Sequence, residues 1–200
     1  MKEVAGVLKC QECQQNEVFV HFGEEKLCLD CYNERIAMQF GVAATRYPEG
    51  VAIRDGVGKV HHFQLRKRLD PIGIFMEAEE QKSGGYHFKV QGDLYDDQGE
   101  LLLELIGKAE RGMTEKYVER RTFPNGQSYN SIKNNRLAGR VEWNRADKDV
   151  PLLAVDGKSY TWEEIGNMLM AFEGFQVKLE MMDPYEEMEW ESETAENKTK

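Results

Sequence analysis

Four cysteines set the terms for the first fifth of the chain. They are the only four in 200 residues, and they fall as Cys10-Gln-Glu-Cys13 and Cys28-Leu-Asp-Cys31, two C-x-x-C pairs with 14 residues between them. A pair at that spacing can grip one metal ion from a single tight turn. Two such pairs complete the tetrahedral Cys₄ shell that zinc prefers in closed, structural sites. The spacing therefore predicts one structural Zn2+ per chain, held by Cys10, Cys13, Cys28 and Cys31. Two disulfides are the alternative. The start, MKEVAGVLKC, has no apolar run long enough for a signal peptide, and no stretch of about 18 consecutive apolar residues occurs anywhere. The expected setting is the reducing cytoplasm, with no membrane contact, where paired C-x-x-C reads as metal rather than disulfide.

The residues around the cysteines define a local fold. Val18, Val20 and Phe22 alternate with Phe19 and His21, and Gly23-Glu24-Glu25 supplies a turn, which predicts a β-hairpin. After Cys28 the period changes. Leu29, Tyr32, Ile36 and Phe40 share one helical face, with Gly41 placed to cap the C-terminus. Cys28 and Cys31 then fall at the helix start, where free N–H groups and the helix dipole favour thiolate over thiol.

A knuckle, a hairpin and a helix that carries the second ligand pair resemble treble-clef zinc fingers of the LIM and ClpX-type classes. The N-terminal zinc module of McsA-type bacterial adaptor proteins is especially similar. The resemblance covers about residues 8–41 and implies the four cysteines as ligands. The glycine usual after the first pair is replaced by Gln14, which predicts a first knuckle that is looser or differently hydrogen-bonded. The remainder resembles bacterial proteins that join such a finger to an α+β domain.

Beyond the finger, residues 42–59 mix Pro48 with Gly50, Gly56 and Gly58 and read as a connector with room for one short strand. Gly56-Val-Gly58-Lys59 lacks the spacing and the following helix of a phosphate loop. An α+β domain is expected over 60–182. His61, Phe63, Leu65 and Leu69 share one strand face; Ile72, Ile74, Met76 and Ala78 alternate next, then Tyr86, Phe88, Val90 and Leu94. Leu101, Leu103 and Leu105 read as a further strand. The pattern predicts an antiparallel sheet with one covered face. Residues 107–123 fit helix or strand, and 122–136 reads as a long exposed loop. Leu152–Val155 predicts a short strand, Thr161-Trp-Glu-Glu164 a capping box, and Ile165, Met168, Leu169 and Phe172 the stripe of a C-terminal helix. Phe175, Val177, Leu179 and Met181 then alternate as a strand, and 183–200 forms an acidic, mobile tail.

Net charge is −10, which works against non-specific nucleic-acid binding. The charge is uneven, however. Residues 183–200 carry seven acidic residues against two lysines, while residues 111–148 carry nine Lys/Arg against four Asp/Glu. Arg120, Arg121, Lys133, Arg136 and Arg140, together with Arg66-Lys67-Arg68 and Arg145, therefore compose a candidate phosphate-binding face, with Tyr129 and Trp143 available for stacking. The competing reading is a set of ordinary charged faces, or a dock for the acidic tail. His21, His61, His62 and His87 read as surface or packing histidines, and a second metal site from His62 and His87 requires their strands to be neighbours. No G-x-S-x-G or H-E-x-x-H occurs, and no cysteine is left over as a nucleophile. The expected role is a protein-interaction or adaptor module that is not an enzyme, with nucleic-acid binding through 111–148 as the alternative.

Overall fold

The computed structural model describes residues 8–188 and Trp190. Its first unit is small. Strands β1 (Val20–Phe22) and β2 (Glu25–Leu27) pair antiparallel, Val20 facing Leu27, and turn through Gly23 at a φ of 62°. Helix α1 (Leu29–Phe40) follows at once, with Cys28 as its N-cap residue and Gly41, at a φ of 69°, as its C-cap. Tyr32, Ile36 and Ala37 are the buried apolar positions of α1 beyond Cys31. The buried Asn33 ties α1 to the next unit through two 2.7 Å bonds: its amide donates to the Lys67 carbonyl and accepts the Leu69 N–H.

That next unit is a four-stranded antiparallel sheet in the order β3-β4-β5-β6, built from β3 (Gly50–Arg54), β4 (Val60–Asp70), β5 (Gly73–Glu80) and β6 (His87–Gly92). The stretch read as a connector thus supplies the edge strand β3, which pairs with β4 from Gly50↔Gln64 to Arg54↔Val60. Alternation puts Ile53, Phe63, Leu69, Ile74, Met76, Ala78 and Val90 on one buried face. Ile72 is exposed, in the turn ahead of β5.

Helix α2 (Gln98–Thr114) covers that face, and it corrects the strand expected at Leu101–Leu105. The buried apolar positions are Leu101, Leu105, Ala109 and Met113, a four-residue period, Gln98 is buried ahead of them, and Leu103 points to solvent. The Asp97 carboxylate caps the helix, accepting from the N–H groups of Gly99 and Glu100 at 2.8 and 2.9 Å. Gly112 lies against the Phe88 ring, where an added Cβ would come within 2.5 Å of it. The apolar residues of α1, α2 and the sheet form one continuous core.

The C-terminal unit has its own core. The stretch 107–123 that fits helix or strand is the end of α2 followed by strand β7 (Val118–Thr122), and the expected loop 122–136 holds its partner β8 (Ser128–Ile132), the hairpin turning at Pro124-Asn125-Gly126. A three-stranded antiparallel sheet in the order β11-β10-β9 follows, from β9 (Arg140–Glu142), β10 (Leu152–Val155) and β11 (Lys158–Tyr160). Helix α3 (Trp162–Leu169) begins at the expected capping box of Thr161 and Glu164. Its Ile165 and Met168 pack with Val155, Tyr160 and Ile132, so the C-terminal helix sits on the small sheet while α2 covers the large one. The architecture is α+β.

Residues 175–182, expected as a strand, form neither strand nor helix. Residues 183–188 lie against the rest of the chain: Tyr185 packs on Phe75 with ring centroids 5.5 Å apart, and Lys108 Nζ donates to the Tyr185 and Glu186 carbonyls at 2.8 Å. The tail expected over 183–200 otherwise falls, apart from Trp190, outside the described residues. No helix among the described residues is long and apolar enough to cross a membrane.

Candidate metal centre

Two turns and one helix start bring the cysteines together. The first turn closes with Gln14 N–H donating to the Cys10 carbonyl at 3.0 Å and Cys10 N–H to the Asn16 carbonyl at 2.9 Å. The knuckle is not loosened: it keeps both bonds with Gln14 at a φ of 56°, in left-handed backbone that glycine adopts more readily. Gln11 anchors this knuckle to β2, its N–H donating to the Lys26 carbonyl and its side chain accepting from Lys26 N–H. The second pair sits at the start of α1, where Tyr32 N–H reaches back to the Cys28 carbonyl at 3.0 Å.

The result is a compact sulfur cluster. All four Sγ atoms lie within 4.8 Å of one another, and Cys13 and Cys28 are 3.8 Å apart. A tetrahedral centre with metal–sulfur bonds of about 2.3 Å has sulfurs about 3.8 Å apart, so the donor set and its spacing fit one ion. Cys10, Cys28 and Cys31 are buried and Cys13 is half-buried, with Leu27 closing the inner side.

The electrostatics prepare two of the four thiols. Burial opposes ionisation of Cys10, but the N–H groups of Cys13, Cys28 and Glu12 outweigh it and bring the thiol down to about 6. The N–H groups of Asn16 and Gln15 lower Cys13 as well. Burial pushes Cys28 and Cys31 up. A cation in the centre would reverse that for the last two, since a coordinated thiol is deprotonated. Asn16 is a residue the sequence reading passed over. Its amide approaches Cys28 Sγ at 4.0 Å and donates to the Asp30 carboxylate at 3.3 Å, which joins the first knuckle to α1.

The other candidates are placed as follows. His21 is exposed on the hairpin, and His62 is exposed on β4. His62 and His87 do not share a site, because β5 lies between β4 and β6. His87 Nε2 instead meets Glu77 at 2.8 Å. His61 is buried, with a carboxylate oxygen at each ring nitrogen, Glu80 at 2.9 Å and Asp55 at 3.2 Å.

Among the basic residues, Lys67 turns inward to the Thr45 carbonyl and Gln98, and burial lowers it to about 8. Arg66 pairs with Glu79 at 3.0 Å and Arg121 with Glu119 at 2.7 Å. Arg140 bonds Gly85 and Glu142, and Arg136 lies over the Trp190 ring at 5.2 Å. Arg120 is on β7, and Lys133 follows β8. Tyr129 is stacked on Phe123, ring centroids 4.1 Å apart, and Trp143 is exposed.

Fold and site together define an α+β protein with a four-cysteine centre able to hold one metal ion. Three family models, each described as a domain of unknown function, match successive stretches of the chain: DUF7685 at residues 9–43, DUF7686 at 45–114 and DUF7713 at 117–186. The first coincides with the cysteine centre, the second with the four-stranded sheet and α2, and the third with the C-terminal unit. No curated protein and no solved structure matches the chain.

Proposed function

We propose that the four cysteines hold one structural Zn2+ in a treble-clef finger, and that the protein is a cytoplasmic protein-interaction or adaptor module rather than an enzyme. One observation carries the reading: four sulfurs closed to within 4.8 Å leave no coordination position for water or substrate. Zinc and iron both accept four thiolates in a tetrahedron. With no fifth cysteine in the sequence and all four ligand positions taken by thiolates, zinc in a scaffolding role suits the site. Around the centre, Leu8, Phe19, Phe22 and Met38 expose apolar surface that suits a protein partner.

Elemental analysis of protein purified without added metal is expected to return one zinc per chain, with X-ray absorption giving four sulfurs at about 2.3 Å. A stoichiometry near zero, or iron in place of zinc, would remove the reading. Pull-down from the native cell with wild-type and Cys28→Ser protein, assayed for proteins and nucleic acid, tests the interaction role. A partner retained equally by both would place the interaction surface away from the finger. The nucleic-acid alternative draws on Arg120 and Lys133, and has less support because Arg121, Arg136 and Arg140 are engaged within the chain. It predicts DNA or RNA affinity that falls steeply with salt.

A further inference from the structure

Among the described residues the C-terminal unit has a sheet edge that no strand pairs with and a strand-patterned segment outside any sheet. That edge is β9, at one end of the order β11-β10-β9. Val141 lies opposite Leu153, which lies opposite Tyr160, so Val141 is on the face that carries the α3 core, yet it is 52% exposed. Trp143, two residues on, is 66% exposed. The core covered by α3 is therefore unfinished on its β9 side.

In Phe175-Gln-Val-Lys-Leu-Glu-Met-Met182 the apolar residues alternate with Gln176, Lys178 and Glu180, the signature of a half-buried strand. Phe175, Val177, Leu179 and Met181 are each at least two-thirds exposed, and the segment is paired with no strand among the described residues. In its own chain it is held at both ends, Phe175 against Phe172 and Tyr185 against Phe75.

We infer that residues 175–182 are a donor strand that adds antiparallel to the β9 edge of a second copy of this chain, making a reciprocal dimer. Charge fixes direction and register. With Val141 opposite Leu179, the antiparallel arrangement sets Arg140 opposite Glu180, Glu142 opposite Lys178 and Trp143 opposite Val177. Both ionic pairs then carry opposite signs and both apolar pairs fall on the core face. The parallel arrangement sets Arg140 beside Lys178 and Glu142 beside Glu180, repelling at both positions. Within its own chain Arg140 already meets Glu142, and Lys178 meets Glu180 at 3.3 Å, so the cross-strand pairs would join two ion pairs that each strand carries into one alternating set of four charges. Four apolar side chains from each copy, eight in all, give on the order of 1,000 Å², the lower range of a specific interface. Each chain carries both donor and acceptor, so exchange closes as a two-fold pair in which both β9 edges are covered. Donor and acceptor lie within the same matched stretch, residues 117–186.

The test uses the full chain with its metal. Sedimentation velocity from about 1 to about 300 µM is expected to show a concentration-dependent dimer. Leu179→Lys should raise its Kd at least about tenfold, as should Val177→Lys, a second exposed position, and Glu180→Lys should weaken it through the ionic pair. Under mild oxidation, a mixture of Val141→Cys and Leu179→Cys proteins should form the mixed disulfide. A monomer at every concentration, or a dimer indifferent to both lysine variants, overturns the proposal. So does a Leu179→Cys homodisulfide that forms in place of the mixed product, which would mean that two donor strands pair with each other.

Discussion

If the cysteine centre holds the proposed ion, removing it should separate the hairpin from helix α1, two parts that look continuous. Consider chelation of the wild-type protein, or Cys28→Ser. The hairpin and first knuckle bury little besides Leu27 and part of Val20, about 2–3 kcal/mol each at best. Against this stands a backbone ordering cost of about 1 kcal/mol or more for each of roughly 20 residues. The difference is of the size a structural metal supplies, on the order of 10 kcal/mol. Helix α1 is otherwise supported: Tyr32, Ile36 and Ala37 belong to the core shared with the sheet, and Asn33 bonds β4 twice. Hydrogen exchange with and without bound metal should therefore show the amides of Cys10, Gln11, Val18 and Phe19 losing at least about a thousandfold in protection, near 4 kcal/mol. Amides of α1 beyond its first turn should change less than about tenfold. Full protection of the hairpin after verified metal loss would refute the argument. Melting of α1 together with the hairpin would show that packing on β4 does not hold the helix.

Three further perturbations follow from the packing. Asn33→Ala leaves a buried carbonyl and a buried N–H without partners and should cost about 2–4 kcal/mol, read as a lower urea midpoint at unchanged slope. Gln14→Gly relieves left-handed strain in the knuckle and should raise the denaturation midpoint of the metal-loaded finger by the equivalent of about 0.5–1 kcal/mol; a loss of stability would mean that the Gln14 side chain contributes more than its backbone costs. The third concerns Glu77. Its hydrogen bond to His87, with Lys89 nearby, holds the carboxyl down at about 2 from the usual 4.5. A depressed carboxyl contributes stability that is complete above the unfolded value and is lost as pH falls from about 4.5 towards 2. Discounted for its partial exposure, that contribution is about 1–2 kcal/mol. Glu77→Gln should therefore flatten stability against pH in that window, and an unchanged acid limb would refute the assignment.

The four-cysteine cluster was legible because its information is local. A C-x-x-C turn, a hairpin between the pairs and a helix with Gly41 behind it are all encoded within a few residues of the atoms they position. Helix α2 was harder to read. Leu101, Leu103 and Leu105 imitate a strand, and the deciding signals are longer: the four-residue period on to Ala109 and Met113, and the Asp97 cap. Strand β8 reads as a loop because it is largely polar, although Pro124-Asn125-Gly126 marks the turn that precedes it, and β7 lies in a stretch whose pattern fits helix or strand equally. The roles of Asn16, Asn33 and the buried His61 depend on residues distant in sequence or on the far side of a turn, and no periodicity announces them. Residues 175–182 show a strand pattern that no strand among the described residues pairs with.

Helix α1 has a mechanical consequence. Its first turn carries two of the sulfurs, and its flank is bonded to the backbone of β4 at Lys67 and Leu69. A finger on a flexible linker would swivel freely and transmit no torque. Here a molecule that grips the hairpin tip takes hold of a short lever whose other end is fixed in the sheet. Its approach angle to the larger unit is set before contact, and turning one unit against the other requires breaking the Asn33 bonds first.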